Sequence, residues 1–106
     1  MTGGDGRFAK ILKEKNKKLN LIFLSKYQLN ILNLESIEKA IKKNKPRIIL
    51  HCAGLSRPMS IHEKNISKSI DLNIIGTANL TKMCEKNRIK IIYLSTGYVY
   101  EGKKGN

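Results

Sequence analysis

Hydroxyl side chains cluster directly after an apolar run close to residue 91 of this chain. The run at 91–94 is typical of a buried β-strand, and the segment 95–100 that follows it reads Ser-Thr-Gly-Tyr-Val-Tyr. A strand that ends in Ser-Thr places hydroxyls at the carboxyl edge of a sheet, which is where ligands bind in open α/β sheets. This segment is therefore a candidate site for hydrogen-bonding a ligand.

Glycines with the spacing of a phosphate-binding turn stand near the first residue. The pattern is Gly3-x-x-Gly6-x-x-Ala9, and a predicted helix follows it. Glycines let the backbone approach phosphate oxygens, and the helix N-terminus offers N–H groups and positive potential. An ordinary glycine-rich turn has the same spacing, so both interpretations stay open. Its place at the head of an alternating α/β pattern favours the phosphate site.

Two further apolar runs end in residues that could bind the rest of a dinucleotide. Ser25 and Lys26 follow the apolar run at 19–24. A hydroxyl beside a cation suits the 2′-phosphate of NADP better than the ribose diol of NAD. An ordinary polar loop is the alternative. Ala53 and Gly54 follow the apolar run at 47–52 and are small enough for a flat ring to lie against the backbone. His51, inside that run, is predicted to be packed rather than catalytic.

Apolar periodicity predicts the elements that position these residues. Helices are predicted at 7–16, 36–44 and 62–87, and strands at 19–24, 47–52 and 90–94. The strand at 47–52 is continuously apolar and β-branched, which is typical of burial on both faces. Asn73 interrupts the apolar face of the long helix, so its side chain is predicted to bond the backbone of a neighbouring element.

The alternation of these elements predicts an α/β fold, a Rossmann-like doubly wound parallel sheet in one domain over residues 1–106. Only Met1 and Thr2 precede the glycine turn, although the first strand of such a sheet lies at its centre. The domain is therefore expected to be partial, with its first strand and its C-terminal part missing.

Composition argues against a nucleic-acid binder, a membrane protein and a metal site. The formal net charge is +13, from 21 Lys and Arg against 8 Asp and Glu. The lysines are dispersed over every predicted helix without interleaved aromatics, which favours solvated faces over a nucleic-acid surface. No run approaches the ~20 apolar residues of a membrane span and no secretory signal is evident, so a cytoplasmic protein is expected. Cys52 and Cys84 lack the spacing of a metal site.

Four motifs together resemble the extended short-chain dehydrogenase/reductase family of the NAD-dependent epimerase/dehydratase superfamily. They read TGGDG, HCAG, DLNIIGTANL and STGYVYEG, in this order along nearly the whole chain. Within that family, they are most similar to the dTDP-4-dehydrorhamnose reductase branch. The resemblance implies a reductase that transfers hydride from NADP or NAD to the keto carbon of a nucleotide-linked sugar. A nucleotide-sugar epimerase or dehydratase, or a non-catalytic or regulatory binding module, are the alternatives, and a homodimer stays open.

The resemblance also implies site residues. Thr96 matches the catalytic Ser/Thr that hydrogen-bonds substrate, and Gly97, also at the substrate, stands where the branch usually has Asp. The Tyr-x-x-x-Lys pair of the family is not in this chain, so the chain alone is expected to be inactive. The implied cofactor-binding residues are Gly3, Gly6, Arg7 and Phe8 at the pyrophosphate, Ser25 and Lys26 at the ribose, Asn30 and Ile31 at the adenine, and Ala53, Gly54 and Leu55 at the nicotinamide.

Overall fold

The part of the chain that the structure, a computed structural model, describes contains two strands, five α-helices and a π-helical turn. That part is residues 1–95, and residues 96–106 lie outside it. Its strands are β1 (Ile48–His51) and β2 (Lys90–Tyr93). Its helices are α1 (Arg7–Lys15), α2 (Leu34–Asn44), α3 (Ser60–Lys64), α4 (Ile66–Ile70), a π-helical turn (Asp71–Ile75) and α5 (Gly76–Lys86). The fold is mixed α/β, as the sequence predicted.

β1 and β2 form a parallel pair. Ile48 lies opposite Lys90, and His51 lies opposite Tyr93 at the other end of the ladder. Parallel neighbours need a long crossover connection, and the helices from α3 to α5 supply it. Both strands fall within the predicted ranges 47–52 and 90–94, so these two predictions are confirmed.

Burial alternates along β1. Ile49 and His51 are buried, whereas Ile48 is 53% exposed. The prediction that this strand is covered on both faces is therefore wrong. Ile49 belongs to the core that forms with α2 and α5, while Ile48 begins the strand outside that core.

The predicted strand at 19–24 is an extended segment that is not a regular strand in the structure. The backbone nitrogen of Met1 donates to the Ile22 carbonyl at 2.6 Å, and the Leu24 N–H donates to the Met1 carbonyl at 3.0 Å. On its other side, the Thr2 N–H donates to the Leu50 carbonyl at 3.0 Å. Met1 and Thr2 thus lie between the extended segment and β1 and are hydrogen-bonded to both.

α2 begins two residues before its predicted start. Asn33 is its N-cap, with the Oδ1 atom accepting from the Ser36 N–H at 2.9 Å. The Ser36 hydroxyl accepts from the Asn30 N–H, also at 2.9 Å, and so ties the preceding turn to the helix. Asn is among the preferred N-cap residues because its short side chain reaches the free N–H groups of the first turn. The predicted start at residue 36 is corrected accordingly.

The long helix predicted at 62–87 is interrupted. Asn65 leaves helical geometry, with φ −143° and ψ 73°, and its Oδ1 accepts from the Lys68 N–H at 3.0 Å. Asn side chains compete with the backbone for N–H groups, so a capped new start replaces a continuous helix here. A π-helical turn then precedes α5.

The core lies where α2 and α5 meet β1. Its buried side chains include Ile37 and Ile41 of α2, Leu80 and Met83 of α5, and Ile49 of β1. Within each helix, the two residues are three or four positions apart and therefore lie on the same face. Within residues 1–95, no helix is both long and apolar enough to cross a membrane.

Candidate functional site

The glycine turn lies tightly between the residues directly after β1 and the extended segment. Gly3 has a φ of +69°, and a Cβ atom there would lie 2.8 Å from the Cys52 carbonyl oxygen. A Cβ on Gly4 would lie 2.8 Å from the Leu24 backbone nitrogen. Only a residue without a side chain fits at either position, because the obstructing atoms are backbone. The turn therefore touches both neighbouring segments at once.

The turn leads directly into the N-terminus of α1. Gly6 is the N-cap, its N–H donates to the Gly3 carbonyl at 2.9 Å, and no side chain caps the helix. Arg7 and Phe8, the first two helical residues, are both exposed. Uncapped N–H groups, the positive end of the helix dipole and the Arg7 guanidinium together favour an anion here.

Ser25 and Lys26 lie at the end of the extended segment, next to the turn. Ser25 follows Leu24, whose backbone packs on Gly4, and its N–H donates to Gln28 Oε1 at 3.0 Å. The Lys26 ammonium lies 5.0 Å from the centre of the Tyr27 ring, a cation–π distance. The structure therefore brings a hydroxyl and an exposed cation to the same side of the turn.

Asn30 and Ile31 lie in the turn that leads to α2, and their side chains differ in burial. Asn30 is exposed, and its Oδ1 accepts from the Leu32 N–H at 3.0 Å. Ile31 is only 3% exposed and packs so closely on α5 that a Cβ on Gly76 would lie 2.6 Å from Ile31 Cδ1. The structure thus places the Ile31 side chain in the core.

The loop after β1 carries Ala53, Gly54 and Leu55, and a side chain from the π-helical turn holds it. Asn73 Oδ1 accepts from the Leu55 N–H at 2.7 Å, while Asn73 Nδ2 donates to the Leu55 carbonyl at 2.9 Å. The prediction that Asn73 bonds a neighbouring backbone is confirmed. Its Oδ1 would also lie 3.0 Å from a Cβ at Gly54, so the loop approaches the helix closely.

The catalytic and substrate-binding residues expected from the resemblance, Thr96 and Gly97, lie outside the described residues. Ser95, the last described residue, is exposed just beyond β2.

Three residues of the site region were absent from the predicted set. Thr2 and His51 are both buried, and Thr2 Oγ1 lies 2.8 Å from His51 Nδ1. On the other side of the ring, His51 Nε2 lies 3.1 Å from Thr77 Oγ1. The available signals were a hydroxyl directly before the glycine turn and a single polar residue in an apolar strand. The prediction that His51 is packed is confirmed.

Burial lowers the pKa of His51 below its ordinary value of 6.5, because the interior disfavours the charged ring. The unfolded chain takes up this proton as the pH falls below about 6.5, while the folded chain stays neutral down to its lower pKa. The free energy of unfolding is therefore expected to be highest above 6.5 and to fall between these two values. Urea unfolding from about pH 7.5 downward measures it.

His62→Gln is the matched control for this pH dependence, since it removes the other histidine and keeps His51. The dependence should persist in His62→Gln and be reduced in His51→Gln. Equal dependence in the two variants would contradict the assignment to His51.

Comparisons with known proteins show the family and the fold of this chain. The family model described as the RmlD substrate binding domain matches residues 1–106. The chain is 26% identical over 104 residues to a dTDP-4-keto-6-deoxy-D-glucose reductase of Streptomyces niveus, covering 96% of this chain and 36% of that protein. It is 32% identical over 74 residues to the methionine adenosyltransferase 2 subunit beta of Xenopus laevis, covering 70% and 22%. The chain thus spans only 22% to 36% of the length of these relatives.

Solved structures show the same fold over nearly the whole chain. The dTDP-4-dehydrorhamnose reductase of Bacillus anthracis str. Ames, solved in complex with NADP, superposes with a TM-score of 0.86 at 28% identity, over 97% of this chain and 37% of that one. The UDP-glucose 4-epimerase of Thermus thermophilus, solved with NAD, shares the fold alone, with a TM-score of 0.74 at 20% identity over 99% and 41%. With its whole length matched by the family model, this chain belongs to the RmlD substrate-binding domain family.

Proposed function

We propose that this chain is the NAD(P)-binding portion, residues 1–106, of a nucleotide-sugar reductase built on a doubly wound parallel sheet. One observation carries the proposal: the glycine turn touches the backbone directly after β1 on one side and the extended segment on the other, directly before an uncapped helix N-terminus. A pyrophosphate at that N-terminus would lie between the segment at Ser25 and the segment at Ala53. These are the places where the two halves of a dinucleotide go in a Rossmann-like fold.

Charge favours NADP over NAD at the ribose end. Lys26 is exposed beside Ser25, and no acidic residue occupies either position. An acid there would accept hydrogen bonds from the ribose diol and repel a 2′-phosphate, whereas an ammonium attracts the phosphate. The excess of 21 basic over 8 acidic residues also favours an anionic ligand.

In the whole protein, the chain's own residues would bind and orient the reactants. The bound dinucleotide supplies the hydride chemistry. Thr96 would hydrogen-bond the keto oxygen of the sugar, with Gly97 beside it. The nicotinamide would lie against the backbone of Ala53, Gly54 and Leu55. Asn73 would hold this backbone in place through its two hydrogen bonds to Leu55. Orientation of this kind contributes to catalysis because it removes the entropy of aligning two reactants.

A binding module within a larger assembly is the second candidate. The relative at 32% identity is named for a subunit of an adenosyltransferase rather than for a reductase. In such a module, the same turn would bind a dinucleotide without hydride transfer. Turnover of a dinucleotide with a keto sugar nucleotide by the whole protein separates the two candidates.

Dinucleotide titration of the chain tests the proposal. NADPH is expected to bind more tightly than NADH, and Lys26→Ala should weaken NADPH about tenfold, as loss of one charge-assisted contact does, while leaving NADH unchanged. Isothermal titration calorimetry measures both affinities.

Lys39→Ala is the matched control, because it removes an exposed lysine of α2. It should leave both affinities at the wild-type value. Absence of binding of either dinucleotide up to millimolar concentrations would reject the proposed function. An equal loss in Lys26→Ala and Lys39→Ala would reject the assignment of Lys26 to the phosphate.

A further inference from the structure

The Thr2 hydroxyl is the centre of a hydrogen-bond cluster between the glycine turn and the end of β1. Its oxygen lies 2.8 Å from His51 Nδ1 and 3.1 Å from the backbone nitrogens of both Cys52 and Ala53. Thr2 is the residue directly before Gly3 and is 1% exposed. A single buried side chain therefore ties the turn to the loop that begins at Ala53.

The network continues through His51 to the helices. His51 Nε2 lies 3.1 Å from Thr77 Oγ1, and the Thr77 hydroxyl donates to the Asn73 carbonyl at 2.9 Å. The Asn73 side chain, in turn, holds the backbone of Leu55 by two hydrogen bonds. One continuous path thus runs from Thr2 to Leu55, linking the two ends of the segment 53–55.

Hydrogen accounting selects one tautomer of the His51 ring. A threonine hydroxyl has one hydrogen and two lone pairs. The Thr77 hydrogen is used on the Asn73 carbonyl, so Thr77 Oγ1 accepts from His51 Nε2–H. The two backbone N–H groups fill the Thr2 lone pairs, so the Thr2 hydrogen goes to His51 Nδ1.

The opposite tautomer leaves groups unsatisfied. A hydrogen on His51 Nδ1 would direct a third donor at Thr2 Oγ1 and leave the Thr2 hydrogen without this acceptor. Among the described residues, no buried side-chain polar atom lacks a partner. The Nε2–H form also gives the Thr2 hydroxyl hydrogen an acceptor, as is usual for buried polar groups. Stacking of the ring on Tyr93 of β2, with centres 5.1 Å apart and planes at 25°, holds its orientation.

We propose that His51, held as the neutral Nε2–H tautomer, is a positioning residue that sets the glycine turn at a fixed distance from the loop at 53–55. The inference rests on the proposed function, because this spacing is the span that a bound dinucleotide bridges. His51 acts through Thr2 and Thr77 and touches no ligand itself. Its removal would leave each segment folded while loosening the spacing between them.

The tautomer is tested directly by nitrogen NMR of the histidine ring in the chain without any ligand. Nδ1 should resonate as an unprotonated ring nitrogen and Nε2 as a protonated one near neutral pH. Thr77→Val removes the acceptor for Nε2–H and should produce a mixture of tautomers. A protonated Nδ1, or averaged signals in the wild-type chain, would overturn the assignment.

The positioning role is tested with Thr2→Val, which keeps the side-chain shape and removes the hydroxyl. Amide hydrogen exchange at Cys52 and Ala53 should quicken, and NADPH affinity should fall about tenfold, as expected for loss of a buried hydrogen-bonded group. Thr2→Ser restores the hydroxyl and should return both quantities to within about twofold of the wild type. Wild-type exchange and affinity in Thr2→Val would reject the proposal.

Thr81→Val is the matched control, since the Thr81 hydroxyl donates to the Thr77 carbonyl on the same helix but lies outside the network. It should change neither quantity. Failure of the proposed function and failure of the role of His51 can be told apart. A wild-type chain that binds no dinucleotide rejects the proposed function, whereas the tautomer and the amide exchange decide the role of His51 without any ligand.

Discussion

Replacement of Gly3 by alanine is expected to remove a large share of the stability of this chain. The residue has a φ of +69°, where an alanine side chain costs about 1–2 kcal/mol by itself. The new Cβ would also lie 2.8 Å from the Cys52 carbonyl oxygen and 2.9 Å from the Ala53 nitrogen. Both obstacles are backbone atoms of Cys52 and Ala53, whose N–H groups donate to the Thr2 hydroxyl, so this backbone cannot move aside without disturbing the buried network.

The combined cost of Gly3→Ala should reach roughly 3 kcal/mol or more, a large share of the ~5–15 kcal/mol that stabilises a typical domain. Urea unfolding followed by circular dichroism measures it. Gly6→Ala is the matched control: Gly6 has an ordinary φ of −69°, and the nearest atom to its Cβ would be the Gly3 oxygen at 3.1 Å. It should cost about 1 kcal/mol or less. Equal losses in both variants would contradict the strain argument.

Leu80→Ala is the second large effect that the structure predicts. Leu80 is fully buried on α5, in the core with Ile37 of α2 and Ile49 of β1. Truncation removes apolar contacts and leaves a cavity that close-packed neighbours fill only in part, at a cost of about 2–5 kcal/mol. The urea midpoint should fall while the slope of the transition stays unchanged, because the surface exposed on unfolding is nearly the same.

An exposed isoleucine on the same stretch of helices supplies the control. Ile66 of α4 is 62% exposed, so Ile66→Ala should change the free energy of unfolding by no more than about 0.5 kcal/mol. If Leu80→Ala were as mild as Ile66→Ala, the packing of α5 on β1 and α2 would be wrong.

Elements with a strong local signal were predicted from the sequence nearly to the residue. The range 7–16 became α1, and the apolar runs at 47–52 and 90–94 became β1 and β2. The break at Asn65 was missed, because apolar spacing reports which face of a helix is buried and carries little about a cap inside it. The run at 19–24 was predicted as a strand and is not one, because strand pairing depends on the neighbouring segment in space, which apolar spacing does not report.

The candidate site divides in the same way. Its glycines, Ser25 and Lys26 could be found from residue type and spacing, since each property is local. The sequence predicted that the Asn73 side chain bonds the backbone of a neighbouring element. It did not predict that this backbone is that of Leu55. Thr2 and Thr77 stand in the motifs TGGDG and DLNIIGTANL, but neither was predicted to be a site residue.

The sequence alone determined which backbone positions must lack a side chain, which faces are apolar and where the chain changes between helix and strand. These properties depend on φ, ψ and period within a few residues. Only the tertiary structure decided that Thr2 meets His51 across 49 positions, and that His51 meets Thr77 across 26. The physical reason is that a buried hydrogen bond forms between donors and acceptors that the packed elements leave unpaired. Which groups these are is settled only when the chain has folded.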